Sequence, residues 1–376
     1  MAIKKRRISF LSTIFLILNI IFVLCLLLSY LAPYISPEKF WPLAFFGLAY
    51  PLFLAINLLF ILIWLILWKK YIFISLLAIV AGYNNLFSLI RFVPQNDGIP
   101  SGGIKILTYN VHSLYGVSKE KYGQGIHTDV TRFISGEKPD IVCIQEFLAR
   151  SADSNLILPS FADAIHLPHY AYKNYNPIKD ARKVDAMAIF SAYPILTTGY
   201  IRLNRMNVFA VYADILIGKE RVRLYNLHLK SISLGPEDYS VYSKLTVPEA
   251  ADEESEVPIR EGFMKIFYKL KNAFIIRARQ VDILSRQISQ SPYPVIICGD
   301  FNDTPGSYTF HKVSEGFKDS FRQSGKSAFG NTYAGKFPSF RIDYILFNGM
   351  YKAFGYKRYN IDISDHYPVS VYLTRD

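Results

Sequence analysis

Three long apolar runs near the start of the chain constrain it more than any other feature. Ile8 to Ala32, Leu43 to Trp68 and Tyr71 to Ile90 contain no acidic or basic residue, and each approaches the roughly 20 residues that a helix needs to cross a bilayer. Residues 99–376 have instead the mixed composition of a soluble unit of roughly 280 residues, enough to bury one large core. The sequence therefore predicts a membrane region over 1–98, with transmembrane helices at 8–32, 43–68 and 71–90, and one globular domain over 99–376. The third run marks a span less strongly than the first two, because Gly82, Asn84 and Asn85 are costly in hydrocarbon unless neighbouring helices give them partners. A cleaved signal peptide is not expected, since its apolar core spans only about 7 to 15 residues and further runs follow the first.

Basic residues set the expected orientation, because Lys and Arg accumulate on the cytoplasmic side. Lys4, Lys5, Arg6 and Arg7 precede the first run, and Lys69 and Lys70 separate the second from the third. With three spans, everything after Arg91 lies outside the cytoplasmic membrane; with two, it stays inside. The expectation is an integral protein of the cytoplasmic membrane with its globular part on the periplasmic or extracellular side. Residues 1–98 carry eight Lys/Arg and two Asp/Glu, so half of the net charge of +12 is a topology signal. The remaining basicity suits a polyanion or an anionic lipid surface without choosing between them. Cys25, Cys143 and Cys298 fall in one span and two apolar strand-like runs, which points to small buried side chains rather than a disulfide framework or a zinc site.

After the Gly/Pro-rich link "NDGIPSGG" the pattern alternates. "IKILTYN" and "DIVCIQE" read as buried strands around a polar, helix-compatible segment. "DAMAIFS", "VFAVYADILI" and "VRLYNLHL" read as a meander, "YPVIICGD" and "RIDYILF" as later strands, and "SDHYPVSVYL" as the ending. Such an order favours α+β layering over a doubly wound parallel sheet. Residues 230–260, with Gly235-Pro236 and the acidic run "EAADEESE", read as a long loop or lid. A basic amphipathic helix is expected from about Glu261 to Ser289, with Arg277, Arg279 and Arg286 among aliphatic residues; its expected role is structural, with a phosphate or lipid contact from Arg277 or Arg279 as the lesser alternative.

Polar residues recur at the ends of these strands: Asn110, Glu146, Asn226 with His228, Asp300 with Asn302, Asp343, and Asp365-His366. Each alone reads as a turn or a cap. Together they are what a cleft needs to hold a hard cation and a charged oxygen substrate. The ordered set "TYN", "QEF", "AIFS", "NLHL", "GDFND", "RIDYI" and "SDHYPV" resembles the endonuclease/exonuclease/phosphatase superfamily over about residues 103–376. That resemblance implies a four-layered α/β/β/α sandwich, deoxyribonuclease-like, with the active site at one end of two packed sheets.

It further implies a metal-dependent phosphoric ester hydrolase using Mg²⁺, with Mn²⁺ as the alternative ion. Glu146 is the expected first metal ligand, with Asn110 and Asp365 completing that site directly or through water. Asp300 is the expected general base and Asn302 the group that positions water or phosphate. His366, held by a carboxylate that by resemblance is Asp343, and His228 are expected to donate to phosphate oxygens. His112 stands where many nucleases of the superfamily carry an acidic residue, so a second metal contact from that strand is not assigned. The expected partners are the membrane itself and a phosphodiester substrate, with nucleic acid slightly favoured over a lipid head group and no protein partner expected. Two alternatives stay open: a sphingomyelinase-like or inositol-phosphatase-like lipid enzyme, and a non-catalytic membrane-anchored binding protein.

Overall fold

In the computed structural model, residues 10–90, 98–112, 126–150, 157–175, 184–204, 207–235, 237–241, 259–326, 329–335 and 339–375 are described. The N-terminal part is helical. Phe10–Leu31 is long and apolar enough to cross a membrane by itself. The other two expected spans are broken: Pro42–Leu48 and Tyr50–Ile66 meet at 60°, and Ile72–Ala81 and Tyr83–Leu89 meet at 71°. The second break falls at Gly82, where an added Cβ would sit 2.0 Å from the ring of Tyr30. Up to three spans are present if each bent pair is one span.

Polar side chains join these helices from within. Asn19 Nδ2 donates to Ser75 Oγ at 2.6 Å, Ser75 Oγ donates to Asn57 Oδ1 at 2.9 Å, and Trp64 Nε1 donates to Asn19 Oδ1 at 2.9 Å. All four are fully buried. In an apolar surrounding such groups must satisfy one another, so they fix which helix faces meet.

The rest of the chain forms two mixed six-stranded sheets. The first is built from β1 (Ile104–Asn110), β2 (Ile141–Arg150), β3 (His169–Asn174), β4 (Val184–Ser191), β11 (Tyr351–Arg358) and β12 (Val369–Arg375), in the order β11-β12-β1-β2-β4-β3. The second contains β5 (Ile195–Arg202), β6 (Val208–Ile217), β7 (Glu220–His228), β8 (Val295–Asp300), β9 (Lys318–Asp319) and β10 (Asp343–Phe347), in the order β5-β6-β7-β8-β10-β9. The expected meander is real for β6 and β7 but draws in β5, whereas the strand over "DAMAIFS" belongs to the other sheet. The strands β3, β5 and β11 lie outside the expected set. Their burial alternates irregularly, so no apolar run announces them.

Side-chain parity shows how the layers pack. In β1, β2 and β8, Ile104, Ile106, Ile141, Cys143, Ile296 and Cys298 face a core shared by both sheets. Leu107, Tyr109, Val142 and Ile144 face a second core with the helices Ile126–Glu137 and Leu158–Ala164, which contribute Val130, Ile134 and Phe161. Val295 and Ile297 face a third core with the helix Ile259–Ser289 through Val281 and Leu284. Helix, sheet, sheet and helix therefore stack as an α+β sandwich, and Cys143 and Cys298 serve as buried apolar residues.

One polar clamp ties the first sheet to its covering helix. Glu137 accepts hydrogen bonds from Lys105, Lys357 and Tyr359. Burial pushes its carboxyl up, but these donors outweigh burial and hold it at about 2, below its ordinary 4.5. A depressed carboxyl stabilises the fold above its unfolded pKa, and that contribution is lost as pH falls toward the folded value. Glu137→Gln is expected to cost about 1–2 kcal/mol at pH 7, after discounting for its partial exposure. The difference in urea midpoint from wild type should shrink as pH falls from 4.5 toward 2; a difference independent of pH would contradict the clamp.

Candidate active site

The same parity that builds the core between the sheets delivers the site. Asn110 continues the inward positions of β1, His228 those of β7, Asp300 those of β8 and Asp343 those of β10. Strand register does the rest: His228 lies beside Asp300 in the parallel β7–β8 pair, and Asp343 faces Asp300 across the antiparallel β8–β10 pair. Glu146 breaks the rule. Inward positions in β2 are odd-numbered, so Glu146 would point at the covering helices in a regular strand. A shift in the β2–β4 register between Ile144 and Phe147, together with a left-handed backbone at Glu146 (φ 51°), turns its carboxylate into the cleft. Bulges and left-handed non-glycine residues are costly and accumulate where a side chain must be re-aimed.

Asp300 is the centre. It is buried. Its Oδ2 accepts from Asn110 Nδ2 at 3.0 Å and Asn302 Nδ2 at 2.9 Å, and its Oδ1 accepts from the Asn302 N–H at 2.7 Å. His228 Nε2 and His366 Nε2 both lie 3.7 Å from Oδ2. Burial pushes the Asp300 carboxyl up to about 6, with the His366 charge opposing and Asp343 adding to the rise. His366 Nδ1 bonds Asp343 Oδ2 at 3.0 Å. Burial alone would lower the imidazole, but Asp343 and Asp300 together push it up to about 10. The ring also stands edge-on to Tyr333, with centroids 5.6 Å apart.

A second group of side chains surrounds Glu146. His228 Nε2 is 3.4 Å and Asn110 Nδ2 3.3 Å from Glu146 Oε1. His112 Nδ1 pairs with Asp365 Oδ1 at 3.0 Å. That contact raises the imidazole, and it lowers the Asp365 carboxyl despite burial. The structure thus brings together all eight expected residues: Asn110, Glu146, His228, Asp300, Asn302, Asp343, Asp365 and His366. Asn226 belongs elsewhere. Its amide bridges the sheets, accepting from Gln145 Nε2 at 2.6 Å and donating to the carbonyls of Ile144 and Ala188. Asp303 is also structural, accepting from Arg277 and Thr309.

Two residues were missed by sequence reasoning. Tyr175, whose hydroxyl accepts from the Glu146 N–H at 2.8 Å, supports the turned backbone; Tyr333 backs His366. Both lie in stretches with no strand pattern, so only the fold reveals them. Asp300, Asp343 and His366 hold ligand atoms within 4.8 Å of one another. An imidazolium paired through Nδ1 with Asp343 has no lone pair for a cation, however, so the donors that suit a hard ion are the oxygens around Glu146. The orphaned, buried His228 Nε2 beside the Glu146 carboxylate and the nearby Asp365 carboxylate are compatible with an ion there.

A pattern of this kind, mounted on two packed sheets, is that of a phosphoesterase fold. The chain belongs to the Endonuclease/Exonuclease/phosphatase family, whose model matches residues 107–366. Residues 12–89 match a domain of unknown function, DUF8431. No curated protein matches in sequence. Similar solved structures include a protein of the same family from Leptotrichia buccalis C-1013-b (16% identity, 73% of this chain and 99% of that one, TM-score 0.49). The human Nocturnin catalytic domain with bound sulfate is 15% identical (74% and 97% covered, TM-score 0.49). A mannosyl-6-phosphatase from Bacteroides thetaiotaomicron is 16% identical (72% and 99% covered, TM-score 0.46).

Gly299 makes the sharpest test of how the site is mounted. With φ at +130°, a Cβ there would lie 2.1 Å from the Leu227 carbonyl oxygen of the neighbouring strand. Gly299→Ala is expected to destabilise the protein by at least about 3 kcal/mol, since strain and a backbone clash combine. A thermal midpoint equal to wild type would show that the β7–β8 approach is looser than described.

Proposed function

We propose that the chain is a membrane-associated, divalent-metal-dependent phosphodiesterase. The observation that carries this reading is the buried Asp300 carboxylate. It is oriented by Asn110 and Asn302, flanked by two imidazoles and placed next to a second oxygen-rich group around Glu146.

In this reading Asp300 accepts a proton from water as the water oxygen attacks phosphorus in line, and the bond to the leaving oxygen breaks. Asn302 holds the Asp300 carboxylate in its working orientation. His366, kept cationic by Asp343, donates to a non-bridging oxygen, and His228 offers a second donor where negative charge builds. Glu146, Asn110 and Asp365 would hold a Mg²⁺ or Mn²⁺ ion, which supplies Lewis-acid stabilisation of phosphate charge when bound. Membrane association is supported by the apolar Phe10–Leu31 helix and the two bent pairs. An outward-facing catalytic part follows if each bent pair is one span, by the distribution of Lys and Arg.

The test uses the full chain in lipid nanodiscs with bis(p-nitrophenyl) phosphate. Wild type should hydrolyse it, lose activity with chelator and regain it with Mg²⁺ or Mn²⁺. Asp300→Asn should fall by about 10²–10⁴-fold, the usual worth of a positioned acid–base group. Hydrolysis by Asp300→Asn at the wild-type rate, or wild-type activity indifferent to chelator, would overturn the proposal.

A further inference from the structure

The cleft that holds the catalytic side chains is not walled by the sheets alone. It is a cavity of about 210 Å³ whose lining includes Asp300, Glu146 and His366 together with the apolar Leu48, Leu234, Leu270 and Phe274. Leu48 comes from the N-terminal region. It ends the helix Pro42–Leu48, the short arm of a bent pair whose long arm, Tyr50–Ile66, begins two residues later. An apolar surface of membrane type therefore stands next to a site built for phosphate.

This wall is held firmly in place. Phe45 stacks on Phe267 with centroids 4.8 Å apart and meets Phe274 edge-on at 5.2 Å. Glu38 pairs with Arg279 at 2.9 Å. Gly47 lies against Gly306 so closely that a Cβ on it would be 3.0 Å from the Gly306 carbonyl oxygen. Beside the same contact, the first turns of the helix Ile259–Ser289 expose Phe263 (53%), Met264 (40%) and Tyr268 (53%). Lys265 and Lys269, interleaved among them, pair with Glu237 and Asp238 of the segment that carries Leu234.

The lining also argues about substrate. Arg277 is the only Lys or Arg among the described lining residues. It is buried, bonded to Asp303 and to the Lys230 carbonyl, so it is not a free contact for a run of phosphates. The Phe274 ring is covered by the Arg277 guanidinium at 5.1 Å, which leaves it unsuited to base stacking.

We infer that the helix Pro42–Leu48 forms a substrate-binding wall of the catalytic cavity, and that the substrate is an amphiphilic phosphoester drawn from the membrane. Its phosphate reaches Asp300 while the first methylenes of its hydrocarbon lie along Leu48 and Leu234. This inference rests on the phosphoesterase reading of the same site.

Binding of methyl phosphate and butyl phosphate to the full chain in nanodiscs, measured by titration calorimetry against empty nanodiscs, tests it without turnover. Covering about two of the added methylenes is worth more than tenfold in affinity, so wild type should prefer the butyl ester by at least about tenfold. Leu48→Gln should bring that preference below about threefold. Leu234→Gln, at a partly exposed position outside the N-terminal helices, should lower it in the same direction and guards against misfolding of the first variant. Leu196→Gln, on the exposed face of β5, should leave the preference as in wild type. Equal affinity for both esters, or an undiminished preference in both Leu48→Gln and Leu234→Gln, would overturn the inference. Failure of the phosphoesterase reading shows separately, as absent hydrolysis of bis(p-nitrophenyl) phosphate by wild type.

Discussion

A carboxylate buried to 1% exposure at the edge of the cleft is the constraint on which the rest of the site depends. Left alone, Asp300 would take up a proton, because an apolar interior disfavours the charged form. Three hydrogen bonds from Asn110 and Asn302 and the nearby charge of His366 oppose that. His366 is in turn kept charged by Asp343, directly opposite Asp300 in the β8–β10 register. Removing any one member would leave another buried group uncompensated, so these residues act as one electrostatic unit rather than as separate contributions.

That unit depends on an unusually exact meeting of two sheets. Gln145 and Asn226 bond across the gap just behind the site, and Asn226 reaches two carbonyls of the opposite sheet. Their amides are fully buried, so slipping either sheet by one residue would strand them without partners. The polar bridge therefore fixes the register that puts Asn110 and Asp300 within hydrogen-bond distance.

Much of this was legible in the sequence because the strands that carry the site are continuous aliphatic runs ending in polar residues. Asn110, His228, Asp300 and Asp343 follow from period-two alternation once the strands are recognised. Glu146 does not: its identity stood out in "QEF", but its direction depends on a bulge that no alternation encodes. The strands β3, β5 and β11 were hidden for a different reason, since half-exposed strands with polar residues scattered among the buried ones have no continuous apolar run to mark them. Gly82, Asn84 and Asn85 weakened the third run as a span, but neither the break at Gly82 nor the one before Tyr50 was expected. Arg277 read as part of an amphipathic helix and is in fact buried against Asp303. The approach of Leu48 to the cleft joins residues more than two hundred positions apart, a relation that local pattern cannot express.

The close seat of Gly47 on Gly306 has a consequence for how such an enzyme would find its substrate. A flexible tether would let the catalytic part sweep a volume above the bilayer and sample whatever diffuses past in solution. Two backbones in contact, bordered by stacked rings, fix the cleft against the N-terminal helices. On the membrane-associated reading, encounter becomes a search in two dimensions. Turnover would then follow the surface density and lateral mobility of the molecules around the helices, rather than their bulk concentration.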